Sequence, residues 1–302
     1  MKQTPSTAGN TRRGWWSARW ATLAIAAAVV GALLAAVQPA TAATADAPGA
    51  PGASATWTTG DKEGLGTSTT VQSKVWYTLT GGTMSEVYYP SGDTPNVRQL
   101  QFAVTDGKSF TQLETDDTVA RAVSLVDPQS LTYQQTSTDK QGRWRLTKNY
   151  VTDPARSSVL LDVKFDVLSG GPYRLFTLYD PSLAGDSGND SGSTVGSALV
   201  SSDTHSAAAP IASALVASTG FTATSTGYVG SVSDGQQDLI AHHALTSTYP
   251  QAGSGQHLPG RRDPGQARND ARHVGARVRR QQQPGAWHGA GKPVQAVRCD
   301  AR

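Results

Sequence analysis

The sequence predicts an all-β protein, a large antiparallel β-sandwich, on three observations. Residues 74–104 and 158–167 alternate between apolar and polar side chains, the pattern of strands with one dry face. Turn signals such as Gly81-Gly82, Asp106-Gly107 and Gly170-Gly171-Pro172 separate these runs. No segment shows a sustained amphipathic helical period with caps at both ends.

In chain order, Thr56 to Thr70 is rich in Gly and Thr and reads as loop with one edge strand. From Lys74, Val75, Tyr77 and Leu79 share one side of a strand, with Trp76 and Thr78 on the other. A second strand carries Met84, Val87, Tyr88 and Tyr89 and stops at Pro90. Leu100, Phe102 and Val104 alternate with Gln99, Gln101 and Ala103. Val119, Arg121 and Val123 predict a strand before Asp127-Pro128, and residues 129–138 are polar and β-prone. Trp144, Leu146 and Tyr150 share a side, while Arg143, Arg145 and Thr147 face away. The clearest strand is Ser158 to Val167, with Val159, Leu161, Val163, Phe165 and Val167 on one face. Tyr173 to Tyr179 is apolar on both faces, hence a central strand, and Asp180 to Thr194 reads as a long loop. Short strands are expected around 198–200, 214–217, 221–224 and 228–232.

Several of these stretches also carry a resemblance. KVWYTL at 74–79, SEVYYP at 85–90, Asp93-Thr94-Pro95 and LQFAVTDGKSF at 100–110 are similar to the N-terminal domain of bacterial glucoamylases and glucodextranases, enzymes of glycoside hydrolase family 15. TWTTGDKEGLGTS at 56–68, NYVTDPARSSVL at 149–160, LYDPSLAGDSGNDSG at 178–192 and GYVGSVSDGQQDL at 227–239 extend the likeness to about Tyr249. The resemblance implies an antiparallel super-sandwich similar in plan to galactose mutarotase-like folds. That agrees with the reading of the strands.

Composition divides the chain. Residues 1–45 hold four Lys/Arg and no acid, residues 46–250 hold twelve Lys/Arg against twenty Asp/Glu, and residues 251–302 hold ten Lys/Arg against three Asp. The formal net charge of +3 therefore describes no single region, and the folded middle offers no basic face for nucleic acid. Cys299 is the sole cysteine, so no disulfide forms within one chain.

Arg12, Arg13 and Arg19 precede an apolar run from Ala21 to Val37, followed by Ala40-Thr41-Ala42 and Ala43-Thr44-Ala45. This layout makes residues 1–45 a secretory signal peptide, with Thr11-Arg12-Arg13 fitting a loose twin-arginine variant. Residues 46–55 are then a flexible leader, 56–250 the sandwich and 251–302 a disordered basic tail. Arg, Gln, Gly, Ala and Pro dominate the tail, and alternation vanishes there. The expectation is a shifted reading frame that truncates the chain before a catalytic domain; the rival reading is a basic tail for an anionic surface.

Glycoside hydrolysis needs two carboxyl groups around the sugar bond. The three glutamates, Glu63, Glu86 and Glu114, lie in a turn, on a strand and in an Asp-rich stretch. In the resembled family both catalytic glutamates sit on a helical barrel that follows the sandwich, so no catalytic residue is assigned here. His205, His242 and His243 are weighed as acid–base groups of an epimerase; on a strand the adjacent pair would point to opposite faces. Asp186, Asn189 and Asp190 are weak calcium candidates without EF-hand spacing. Trp57, Trp76, Tyr88, Tyr89 and Trp144 offer flat faces for sugar rings, and Trp76 is the weak candidate to test first.

The resulting expectation is a secreted, non-catalytic domain of an α-glucan exo-glucosidase, packing against an (α/α) barrel. No cofactor is expected, nor nucleic acid, nor membrane attachment after signal cleavage. The parent family implied by the resemblance consists of inverting glucan α-glucosidases, while this chain alone is expected to be inactive. The alternative is an independent carbohydrate-binding module for α-glucans.

Overall fold

Period-two patterning turns into strands almost throughout. The computed structural model describes residues 46–53, 56–185, 189–203 and 210–253, and the backbone of 271–277 and 295–301. The strands are β1 (Gly64–Thr67), β2 (Trp76–Thr80), β3 (Thr83–Tyr88), β4 (Pro95–Thr105), β5 (Thr111–Leu113) and β6 (Val119–Asp127). Then come β7 (Thr132–Asp139), β8 (Trp144–Thr152), β9 (Ser158–Val167), β10 (Arg174–Pro181), β11 (Ser191–Val195) and β12 (Ala198–Asp203). The last are β13 (Ile211–Ala217), β14 (Ala223–Tyr228), β15 (Gln251–Ala252), β16 (Ala271–Arg277) and β17 (Gln295–Ala301). One α-helix among the described residues, α1, spans Gly235–His242.

Two sheets result, and every pairing of these strands is antiparallel. The first runs β1-β2-β3-β4-β10-β16-β14, with β5 beside β4; the second runs β15-β11-β12-β13-β17-β9-β8-β7-β6. Their inner faces make one core. Val75, Tyr77, Leu79, Met84, Val87, Leu100 and Phe102 come from one side, and Trp144, Leu146, Tyr150, Val159, Leu161, Leu199 and Leu215 from the other. Each such side chain contributes about 1.5–3 kcal/mol by leaving water, so the register is set by the pattern that put them in phase. The Tyr77 and Tyr150 rings stack with centroids 5.8 Å apart. Gly66 must stay glycine, because a Cβ there would meet the Tyr77 ring at 2.2 Å.

A polar group sits inside this core. Lys148 shares the inward phase of Trp144, Leu146 and Tyr150, and its side chain is 0 % exposed. Its Nζ lies 2.6 Å from Glu114 Oε1 and donates to the Gly82 carbonyl at 2.5 Å. Glu114 also accepts from Ser137 Oγ (2.7 Å) and from the Phe102 amide (2.9 Å). Burial pushes the Lys148 ammonium below the ordinary lysine value, against the Glu114 charge that pushes it back up. The pair thus ties β8 to the Gly81-Gly82 turn and to the end of β5, across the gap between the sheets.

The structure corrects the sequence reading in three places and adds detail in two. The segment after Ser233 is a capped helix: Asp234 accepts from the Gln236 and Gln237 amides, and His243 closes the C-terminus at φ 59°. His242 and His243 therefore stand at a helix end and not on a strand. Tyr228 ends β14, and Val229 to Ser233 is turn, because Tyr228 O accepts from the Ser231 amide. Residues 180–194 are not all loop, since a 3-10 turn at Leu183–Gly185 and the start of β11 fall within them. The 46–55 leader is docked where it is described: Asp46 bridges Gln251, Ala47 N donates to Gln251 O (2.9 Å), and Ala53 N donates to Val229 O (2.7 Å). Finally, the 251–302 stretch contains β15, and its backbone supplies β16 and β17 as inserted strands. Backbone ladders are indifferent to side chains, so composition did not disclose them. Residues 1–45, expected to be a signal peptide, lie outside the described residues.

Replacing Lys148 by Ala leaves Glu114 buried without its cation and is expected to lower stability by roughly 3–5 kcal/mol. Lys148→Met combined with Glu114→Gln, which removes both charges and keeps an acceptor for the Phe102 amide, should cost less than that single change. Urea unfolding of the three proteins tests the order.

Candidate functional site

The outer face of the first sheet gathers three of the aromatic side chains that sequence reasoning singled out for binding. A bulge between Thr78 and Leu79 in the β2–β3 pairing places both Ser85 and Glu86 beside Thr78. Across this face runs the segment 56–62. Arg98 of β4 bonds the Thr56 carbonyl, and Thr58 Oγ1 donates to Glu86 Oε1. Lys62 Nζ lies 2.6 Å from Glu86 Oε2 and donates to Thr58 Oγ1 at 2.6 Å. Thr78 Oγ1 donates to Glu86 Oε2 (2.7 Å) and accepts from the Glu86 amide (3.2 Å).

Burial pushes the Glu86 carboxyl up, but the bonds from Lys62, Thr58 and Thr78 and the Lys62 charge outweigh it. Its pKa is held below the ordinary value of 4.5. Beside it, Arg98 Nη1 meets Asp180 Oδ2 at 2.7 Å. Gln101 Nε2 reaches Gln236 Oε1 of α1 at 3.3 Å. Leu239 of α1 then closes a small apolar cluster with Ala103, Leu113, Phe176 and Leu178.

Aromatic faces border these charges. Trp76 is half-buried and stands opposite Tyr88 in the β2–β3 register, on the face away from Val75, Tyr77 and Leu79. Trp57, 39 % exposed, sits on the crossing segment between the two threonines that bond Arg98 and Glu86. Tyr89 is half-buried and packs against the core. Trp144 belongs to the core outright, with Nε1 donating to Gln112 Oε1 at 2.8 Å. Of the five aromatic candidates, the fold thus brings Trp57, Trp76 and Tyr88 to one face and withdraws Trp144.

The remaining candidates are dispersed. Glu63 accepts from the Gly81 amide (2.8 Å), and Glu114 is the buried partner of Lys148. Each of the three glutamates is engaged by a cation or an amide. These bonds tie the three carboxylates into the scaffold. His242 Nδ1 lies 2.8 Å from Asp238 Oδ1, while His243 Nδ1 lies 3.0 Å from Thr111 Oγ1. His205 lies outside the described residues.

Asp186 likewise lies outside them. Asp190 is buried, and its Oδ2 accepts from the Leu183 amide (2.9 Å), so it caps the 3-10 turn. Among the described residues no group of three or more His, Cys, Asp or Glu is placed to hold a metal. Sequence reasoning passed over Lys62 and Arg98, which hold the crossing segment to the sheet; nothing in an isolated charge marks such a partner.

Comparison with known proteins gives three likenesses. A family model described as glucodextranase, domain N, matches residues 47–261. The chain is 45% identical over 135 residues to a glucoamylase of Clostridium sp. (strain G0005), an alignment covering 44% of this chain and 19% of that protein. It also superposes on the crystal structure of a bacterial glucoamylase complexed with acarbose, with a TM-score of 0.68 and 29% identity, over 85% of this chain and 34% of that one. The chain spans no more than about a third of the length of these relatives.

The Glu86 pairing gives a pH signature. A carboxyl whose folded pKa lies below its unfolded one stabilises fully above the unfolded value, and that stabilisation fades as pH falls through the folded value. Glu86→Gln is expected to cost about 1–3 kcal/mol at pH 7 and to flatten the loss of stability below pH 4.5. Unfolding midpoints of both proteins from pH 7 to 3 measure it.

Proposed function

The chain belongs to the glucodextranase N-domain family, and from that membership we propose that it serves as the non-catalytic N-terminal β-sandwich of an exported enzyme acting on α-glucans. The observation that carries this reading is its pairing with relatives titled glucoamylase, of which the sandwich makes up a minor part. The engagement of Glu63, Glu86 and Glu114 in the scaffold supports it. In this role the sandwich packs against and steadies a helical catalytic domain that performs the exo-hydrolysis, with inversion. The leader 1–45 then directs export and is removed.

A second reading has its own observation. Trp57, Trp76 and Tyr88 share one outer face with paired charges, and flat aromatic surfaces ringed by polar groups suit sugar rings. On this reading the sandwich itself holds an α-glucan chain for the enzyme.

Pure chain incubated with starch or dextran is expected to release no glucose; sustained release would overturn the non-catalytic reading. Titration calorimetry with maltodextrin separates the two roles. Binding in the micromolar-to-millimolar range, weakened at least about tenfold by Trp76→Ala, marks a glucan-holding face. Flat heats across α-glucans leave the supporting role alone.

A further inference from the structure

One strand does not match its place in the fold. β16 lies between β10 and β14, pairing with both. On the core side its neighbours in β10 are Leu175, Thr177 and Tyr179, all buried. On the outer side they are Phe176 and Leu178, which belong with Ala223 of β14 to the apolar cluster closed by Leu239 of α1. The slot is therefore dry on both faces. Strands that fill such places read as continuous aliphatic and β-branched runs.

The occupant reads ARHVGAR. Arg277 stands opposite Leu175, Gly275 opposite Thr177 and His273 opposite Tyr179. Ala276 stands opposite Phe176 and Val274 opposite Leu178, so Val274 is the single residue of the strand larger than Ala that suits an apolar layer. Glycine within a strand weakens it further. What remains is the double ladder of backbone hydrogen bonds, which any sequence without proline can supply.

We propose that the slot between β10 and β14 is a strand-acceptor site: by antiparallel strand addition it takes an extended peptide segment that is apolar on both faces, displacing residues 271–277. The slot reads the segment twice over. Main-chain groups of β10 and β14 hold its backbone, and the layers around Leu175 and Tyr179 on one face, and Phe176 and Leu178 on the other, select aliphatic side chains. The ligand class is an uncharged, proline-free strand of Val, Ile or Leu. This inference does not depend on the α-glucan reading.

The test uses the full chain and a fluorescein-labelled synthetic peptide with Val and Ile at its central positions and lysines at both ends for solubility. The control peptide carries Pro at its centre. Two variants bracket the slot. Gly275→Pro withdraws an amide and loosens the chain's own strand, while His273→Val, Gly275→Val and Arg277→Val together improve it. The expected result is saturable binding to the unaltered chain, about tenfold or more tighter to G275P and weaker by as much in the triple variant. Hydrogen exchange should show peptide-induced protection of amides 175–179 and 223–228. If G275P fails to fold, the triple variant decides: weaker binding supports the site and unchanged binding overturns it. Absence of saturable binding to the unaltered chain, equal binding of the Pro peptide, or protection elsewhere also overturns it.

Discussion

Everything in this fold is subordinate to one constraint: two pleated sheets share a single dry layer, so each strand must present its apolar residues in one phase. The layer reaches from Val75 and Tyr77 to Val159 and Leu215. Because a strand's side chains alternate, a slip by one residue would turn the whole apolar set of that strand into water. The constraint also explains the cost and the use of Lys148. A lysine in that phase enters the core whether or not it suits it. The fold accommodates it by bringing Glu114, the Gly82 carbonyl and, through Glu114, Ser137 to the same point. A buried pair of this kind is weak evidence for added stability. It does restrict which segments can meet there, because a carboxylate or ammonium left alone would be strongly unfavourable.

Much of this was legible in the residues. The Ser158–Val167 run became β9 residue for residue, and the opposition of Trp76 to Val75, Tyr77 and Leu79 holds in space. Even Lys148 could be placed, since counting by twos from Trp144 passes through it. The helix at 235–242 was missed because it is only eight residues long and has little apolar surface to give a period. Its signal was in the cap, where Asp234 and Gln237 stand three apart. The inserted strands were illegible for a different reason. Their places are dictated by open main-chain groups on β10, β14, β13 and β9, and nothing in their own composition announces a strand.

The candidate face was only half visible. Alternation located Trp76, and a flat ring alone set Trp144 among the same candidates, yet Trp144 shares its phase with Leu146 and Tyr150 and lies in the core. No pattern could show that residues 56–62 would lie across β2, β3 and β4, because that contact joins Lys62 and Glu86 over a separation that only the folded sheet spans. The result is a surface rigidified by paired charges and edged by aromatic rings. Flat rings beside fixed charges are the features on which the glucan-holding proposal rests.

The docking of Asp46 and Ala47 against Gln251 bears on how a protease could reach this end of the sandwich. These residues follow directly on the Ala43-Thr44-Ala45 triplet, so a peptidase cutting there would work at the very rim of the folded body. A protease cleft needs several extended residues on both sides of the scissile bond, and the downstream ones are already engaged in the sheet. Cleavage at that triplet is thus hindered for as long as residues 46 and 47 hold Gln251.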